Sequence, residues 1–217
     1  MLIDIVYDPV CPWCYIGKRR MEQALSSRPN IETEINWHPF LLNPELPPEG
    51  IDRTAYLVHK FGSEARVRRV YGAISDLGLS VEIGFNFDQI RRTANTLDAH
   101  RLVRLAEQDG KADSVVEALF SSYFTEGKNI GNRDVLGKIA EETGLNPDVV
   151  MESLSGDDGV QDIMDANARA HRLGVNGVPT YVFNGTMLIS GAQETNVLCR
   201  IIDAAQTMET EVTPVMT

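Results

Sequence analysis

The sequence predicts an α/β fold in which a long all-helical stretch interrupts a small sheet. Three observations carry this. The chain opens with a strand, a helix and a second strand inside its first forty residues; the apolar period is then helical from Ile51 to about Leu173; and Asn184-Gly185 joins two short apolar runs near the end. The first feature implies a parallel pair with a right-handed crossover, and the last implies an antiparallel hairpin.

The opening strand is Leu2 to Tyr7, a nearly continuous apolar run stopped by Asp8-Pro9, as expected of a strand buried on both faces. Lys18, Arg19, Met21, Ala24 and Leu25 continue as a helix, and Ser26 to Asn30 break it. Ile31, Thr33, Ile35 and Trp37 then alternate with Glu32, Glu34 and Asn36 in a second, less buried strand. Pro39, Pro44, Pro47 and Pro48 end regular structure. Past this loop Leu57, Val58 and Phe61 mark a short helix, and Val67 to Leu77 another that Gly78 ends. Asp88 is the expected cap of a helix carrying Ile90, Ala94, Leu97, Leu102 and Leu105 inward. Val115 to Phe124 form an apolar stripe, Asn132 opens a helix through Val135, Leu136 and Ile139, and Asn146-Pro147-Asp148 supplies a cap, a first-turn proline and a first-turn acid. No strand is expected in this region. Val160, Ile163, Met164 and Asn167 lead back to the sheet, where Pro179 opens the first hairpin strand and Met187 to Ser190 form the second. Thr195 to Thr207 read as a last amphipathic helix, followed by a disordered tail.

Chemistry concentrates in Cys11-Pro12-Trp13-Cys14, at the point where the first strand hands over to the first helix. The first turn of a helix offers N–H groups without intrahelical partners, and its dipole favours an anion such as a thiolate. Cysteines at this spacing lie close enough to bridge, with Cys11 facing outward and Cys14 tucked behind it. As a staple, so small a ring would contribute only about 2 kcal/mol. Zinc is the competing reading, but it calls for about four ligands, whereas Cys199 stands alone and His38, His59, His100 and His171 are scattered. A redox dithiol is therefore expected, with no metal. Pro179 cannot donate a ladder hydrogen bond, so it is either a plain edge proline or a bare strand end open to an extended visitor. His100 shares a helix with Asn95, which with Thr96 and Ala99 would place a polar patch towards a cleft. His59 and His171 read as surface or helix-end residues, Trp37 and Phe40 as core at the strand edge or else as lining of a substrate groove, and Cys199 as a buried, inert thiol.

With 217 residues and 43% hydrophobic content the chain can bury a full core. A net charge of −11, without Lys/Arg-rich runs, argues against nucleic acid and anionic membranes. No run approaches the roughly 18 apolar residues of a membrane span, and no basic leader precedes the first strand, so the expected compartment is the cytoplasm. In a reducing compartment a CxxC is transient or catalytic rather than structural.

The segments DPVCPWCYIG, WHPFLLNP, RRTANTLDAHRL and NGVPTYVF together resemble the FrnE-type branch of the DsbA-like oxidoreductases, itself similar to 2-hydroxychromene-2-carboxylate isomerases and kappa-class glutathione transferases. The resemblance implies a thioredoxin fold with a large all-helical insertion: residues 1–50 and 158–207 as its two halves, 51–157 as the insertion, and 208–217 as the tail. It also implies that Val178-Pro179 is cis and packs beside Cys11. Cys11 is then the expected nucleophile and Cys14 the resolving thiol. Pro12, Trp13, Val178, Pro179, Asn95 and His100 are the residues expected to contact substrate. The implied activity is thiol–disulfide exchange or isomerisation through a redox-active Cys11–Cys14 disulfide, on protein or small-molecule thiols and disulfides, in a monomer or homodimer with no bound cofactor and glutathione as a possible co-substrate. The alternative is a glutathione-dependent isomerase or transferase. Those relatives generally carry serine at the first position and need no second cysteine, so Cys14 favours redox chemistry.

Overall fold

In the computed structural model, which describes residues 1–207, the chain opens with β1 (Leu2–Tyr7), α1 (Pro12–Ser26) and β2 (Glu34–Pro39). From Ile3 to Tyr7 every residue of β1 is buried, Asp4 included, as the nearly continuous apolar run required. β2 starts later than the alternation suggested, since Ile31 and Thr33 lie before its pairing with β1 begins at Leu2 and Glu34. The chain forms two compact units, one of Met1–Phe40 with the chain from Asp165 onward, the other Leu41–Met164.

The second unit is mainly helical. It holds β3 (Ile51–Asp52), α2 (Arg53–Phe61), α3 (Glu64–Leu79), β4 (Arg92–Thr93), α4 (Leu97–Glu107), α5 (Ala112–Phe124), α6 (Arg133–Glu142) and α7 (Pro147–Ser155). Two expectations fail here. β3 and β4 pair antiparallel, Ile51 with Thr93 and Asp52 with Arg92, in a ribbon too short to leave a periodic signal. Asp88 does not cap a helix; it lies in a 3-10 turn, Phe87–Gln89, and the chain runs extended through β4 before α4 begins. Asn95 starts α4 instead, its Oδ1 accepting from the Leu97 N–H at 2.9 Å while its amide donates to Leu46 O at 2.7 Å. The Asn132 and Asn146 caps form as read, accepting from Asp134 N and Asp148 N.

A buried guanidinium holds this unit together. Arg101, on α4, is 2% exposed. It donates to Asp98 Oδ1 at 2.6 Å and, at 2.8 Å each, to the carbonyls of Ser153, Gly156 and Asp158. It thereby satisfies the carbonyls that the end of α7 leaves open. Asp98 also takes Arg133 Nε at 2.9 Å.

α8 (Val160–Arg172) returns the chain to the first unit, which closes with β5 (Thr180–Phe183), β6 (Met187–Ser190) and α9 (Thr195–Thr207). The sheet order is β2-β1-β5-β6. β1 pairs parallel with β2 and antiparallel with β5, setting Ile5 beside Tyr181 and Val6 beside Thr180, and Asn184-Gly185 turns β5 into β6 as the hairpin signal required. By the two-residue alternation of strands, Ile5, Tyr7 and Tyr181 share one face, and Asp4, Val6, His38 and Thr180 the other. On the second face the buried Asp4 carboxylate meets His38 Nε2 at 2.8 Å. Arg20 of α1 pairs with Glu194, just before α9, at 2.8 Å, and Arg28, just after α1, with Asp203 of α9 at 2.6 Å. The tail read as disordered lies outside the described residues.

Arg101→Met should destabilise the protein by about 3 kcal/mol in urea denaturation, because several buried acceptors lose their donor at once. Arg133→Met, at the exposed end of the same network, should cost under about 1 kcal/mol in the same assay.

Candidate functional site

Tyr7 ends β1, and a tight turn delivers Cys11, whose N–H donates to Asp8 O at 2.9 Å. Cys11 is the N-cap of α1, with extended φ and ψ of −94° and 111°, and its side chain makes no capping bond. The thiol is thus not consumed by the helix it caps. Pro12 has no N–H to satisfy, and the N–H groups of Cys14 and Tyr15 both donate to Cys11 O, at 3.0 and 3.4 Å.

The Cys11 Sγ–H instead donates to Val178 O at 3.5 Å, across 167 positions of sequence. The Val178–Pro179 peptide is cis. The carbonyl preceding the proline therefore reaches the sulfur at the helix start. Trp13 is 38% exposed and Pro12 and Val178 half-buried, so apolar surface rims the dithiol. Cys11 itself does not face outward as expected: it is 6% exposed, against 2% for Cys14. Burial pushes the Cys14 thiol well above its ordinary value; its hydrogen bond and charge interaction with Cys11 add to this, and the N–H of Asp8 opposes it.

One close approach shapes the floor of the site. Gly17 lies one turn beyond Cys14, and a Cβ there would overlap the hydroxyl of Tyr181 and press on Pro179 Cγ at 3.1 Å. Only glycine lets α1 settle this tightly on β5. Asp8, fully buried beside Cys14, and the Gly17–Tyr181 pair were not singled out from sequence. An isolated glycine inside a helical pattern was the available signal.

The remaining candidates lie elsewhere. Asn95 and His100 belong to the helical unit, Asn95 engaged at the start of α4 and His100 buried along it. Trp37 and Phe40 are core, at 4% exposure each. Cys199 departs from expectation: it is half-buried, with its sulfur 3.6 Å from Ser27 Oγ, because its place on α9 meets the polar end of α1. Among the described residues no three His, Cys, Asp or Glu side chains cluster to hold a metal, and no helix is long and apolar enough to cross a membrane.

The sequence matches the DSBA-like thioredoxin domain over residues 2–203. The chain belongs to that family. Its CxxC pair, held at a helix start beside a cis proline, makes it a DsbA-like oxidoreductase. The uncharacterized protein YwbO of Bacillus subtilis is 26% identical over 195 residues, 88% of this chain and 90% of its own. The crystal structure of the probable DsbA oxidoreductase SCO1869 from Streptomyces coelicolor superposes with a TM-score of 0.89 at 24% identity, covering 98% of this chain and 93% of that one. The cytosolic disulfide reductase DsbM from Pseudomonas aeruginosa, solved with GSH, gives 0.66 at 17% identity, covering 96% of this chain and all of its own.

Two outcomes follow from this geometry. A thiol whose folded pKa is raised keeps its proton where the unfolded chain, titrating near about 8.5, releases it. The Cys14 contribution to stability of the reduced protein is therefore whole below that value and declines as pH rises through it towards the raised folded value. Urea denaturation between about pH 8 and about pH 10 should show the decline, and Cys14→Ser should flatten it. Second, Gly17→Ala should cost about 2 kcal/mol, the price of overpacking, and clearly less in a Tyr181→Phe background, where the overlapping oxygen is gone.

Proposed function

We propose that the protein is a thiol–disulfide oxidoreductase or isomerase in which Cys11 is the nucleophile and Cys14 the resolving thiol. The observation that carries this is the Cys11 sulfur at the N-cap of α1, uncommitted to capping and 3.5 Å from Val178 O. In the reducing direction the Cys11 thiolate attacks one sulfur of a substrate disulfide. That S–S bond breaks, its electron pair leaves on the other substrate sulfur, and a mixed disulfide forms. Cys14 then loses its proton and attacks Cys11 Sγ, which closes the Cys11–Cys14 disulfide and expels the second substrate thiolate. The substrate is reduced by two electrons and the dithiol is oxidised by two. The oxidising direction is the same sequence reversed.

Substrate reaches Cys11 along the rim of Pro12, Trp13 and Val178, with Pro179 buried behind it, an apolar surface that suits an extended peptide or a small thiol. Asn95 and His100 serve the helical unit in this reading. The substrates are protein or small-molecule thiols and disulfides, and the compartment is the cytoplasm. Glutathione is the small thiol we favour as co-substrate, supported by the structure of DsbM with GSH. A buried second cysteine beside the first supports exchange over the alternative in which the site only holds glutathione for an isomerase or transferase reaction.

Cys11→Ser should abolish reduction of insulin or a small disulfide, whereas Cys14→Ser should retain the first attack and accumulate a mixed disulfide visible by mass spectrometry. Iodoacetamide should modify Cys11 before Cys14 in the reduced protein at neutral pH. Modification of Cys14 first, or full exchange activity in Cys11→Ser, would overturn the assignment and favour the glutathione-holding reading.

A further inference from the structure

The phenol oxygen of Tyr181 is one of several buried polar atoms of the first unit without a hydrogen-bond partner, Asp4 Oδ2, Trp37 Nε1 and Arg169 Nε among them, and it is the one that lies against the helix of the dithiol. Tyr181 is fully buried in β5, and its oxygen has no hydrogen-bond partner among the described residues. A buried hydroxyl left this way is costly, and a protein that retains one calls for an explanation. Its location suggests one. The oxygen occupies the space a Cβ of Gly17 would fill, with Pro179 Cγ against the same spot. Gly17 and Cys14 are one turn apart on α1 and so share a face, and the Cβ position of Gly17 that the oxygen fills leans back towards the turn carrying Cys14; Cys14 and Cys11 both act electrostatically on the phenol.

We propose that Tyr181 is a positioning residue of the exchange reaction, its O–H donating to the Cys14 sulfur in the states where that sulfur carries negative charge. This rests on the assignment of Cys14 as the resolving thiol. In the dithiol, Cys14 is hydrogen-bonded with Cys11 and has no need of the phenol. Once Cys11 is joined to substrate that partner is lost. Cys14 must then release its proton to solvent, attack Cys11 Sγ and expel the substrate thiolate. In the opposite direction a substrate thiolate attacks Cys11 Sγ, the Cys11–Cys14 bond breaks, and its electron pair comes to rest on Cys14. Both routes pass through a buried Cys14 thiolate, to which the Asp8 N–H is one donor and the phenol, on this proposal, a second.

The charged and titratable groups around the pair are Asp8 from the β1–α1 turn, Cys11 and Arg20 from α1 and its cap, and the two partners themselves. Burial, then Cys11 and last the Asp8 carboxylate disfavour charge on Cys14, while the Asp8 N–H favours it. Burial, then the two thiols, push the phenol far above its ordinary value, so it keeps its proton and acts as a donor throughout. The Arg20 guanidinium is committed to Ala192 O and Glu194, at 2.7 and 2.8 Å, whereas the Tyr181 hydroxyl is free to turn its hydrogen.

The test is Tyr181→Phe, which removes the oxygen and keeps the ring. Reduced protein carrying Cys199→Ser, with and without this change, is mixed with 5,5′-dithiobis(2-nitrobenzoate) in a stopped flow. Attack by Cys11 releases the first coloured thiolate, and resolution by Cys14 releases the second. The first phase should stay within about twofold, while the second should slow about tenfold at neutral pH, its pH midpoint rising by about one unit. Because an unpaired buried hydroxyl has been removed, the denaturation midpoint of the dithiol form should not fall. A second phase unchanged in rate and midpoint would reduce Tyr181 to a packing role and overturn the proposal, as would equal slowing of both phases. Absence of the first phase in the protein with Tyr181 intact would instead overturn the assignment of Cys11.

Discussion

The contact between the Cys11 sulfur and the Val178 carbonyl is the constraint on which the rest of the first unit depends. It joins residues 167 apart in sequence, and it exists because β1 and β5 are neighbours in the sheet with Val6 opposite Thr180. That register puts the end of β1, where the helix must start, next to the beginning of β5, where the proline stands. A register shifted by one residue would turn Tyr181 to the other face and leave Gly17 without its partner. The position of the dithiol thus follows from backbone pairing before any side chain of the site is considered.

Two opposed demands meet at this junction. A nucleophilic sulfur gains from the positive end of a helix dipole, and Cys11 stands there as the N-cap of α1 with its side chain uncommitted to capping, although it is 6% exposed. A resolving sulfur must stay protonated until it is needed, and burial one turn further along does this for Cys14. The same helix supplies both because Cys11 stands at its cap while Cys14 lies inside its first turn, although the two thiols are almost equally buried. Sealing that turn against the sheet requires a residue without a side chain, and Gly17 meets the requirement.

Electrostatic strategy differs between the units. In the first, the ion pairs between the α1 and α9 regions are partly open to solvent, and each contributes little. In the helical unit, by contrast, one guanidinium is buried among carbonyls, where its removal strands several acceptors together. Short, locally capped helices there depend on such tertiary anchors, since isolated helices of this length are marginal in water.

Local chemistry in the sequence was sufficient to read the strand-helix-strand opening, the Asn132 and Asn146 caps, the Asn184-Gly185 hairpin and the dithiol at a helix start. Each of these rests on interactions between residues a few positions apart, so its signal is written where it acts. β3 and β4 escaped because two-residue strands have no period, and Asp88 misled because an acid before an apolar run resembles a cap wherever it falls. Cys199 was read as buried from helical spacing alone, which reports the face of a helix but not what lies opposite it. The carbonyl that meets Cys11, the phenol filling the place of a Gly17 side chain, and the near-equal burial of the two thiols were decided by tertiary structure alone. They depend on β1 lying beside β5 and on α1 closing over Tyr181, contacts between distant segments that no local window of sequence contains.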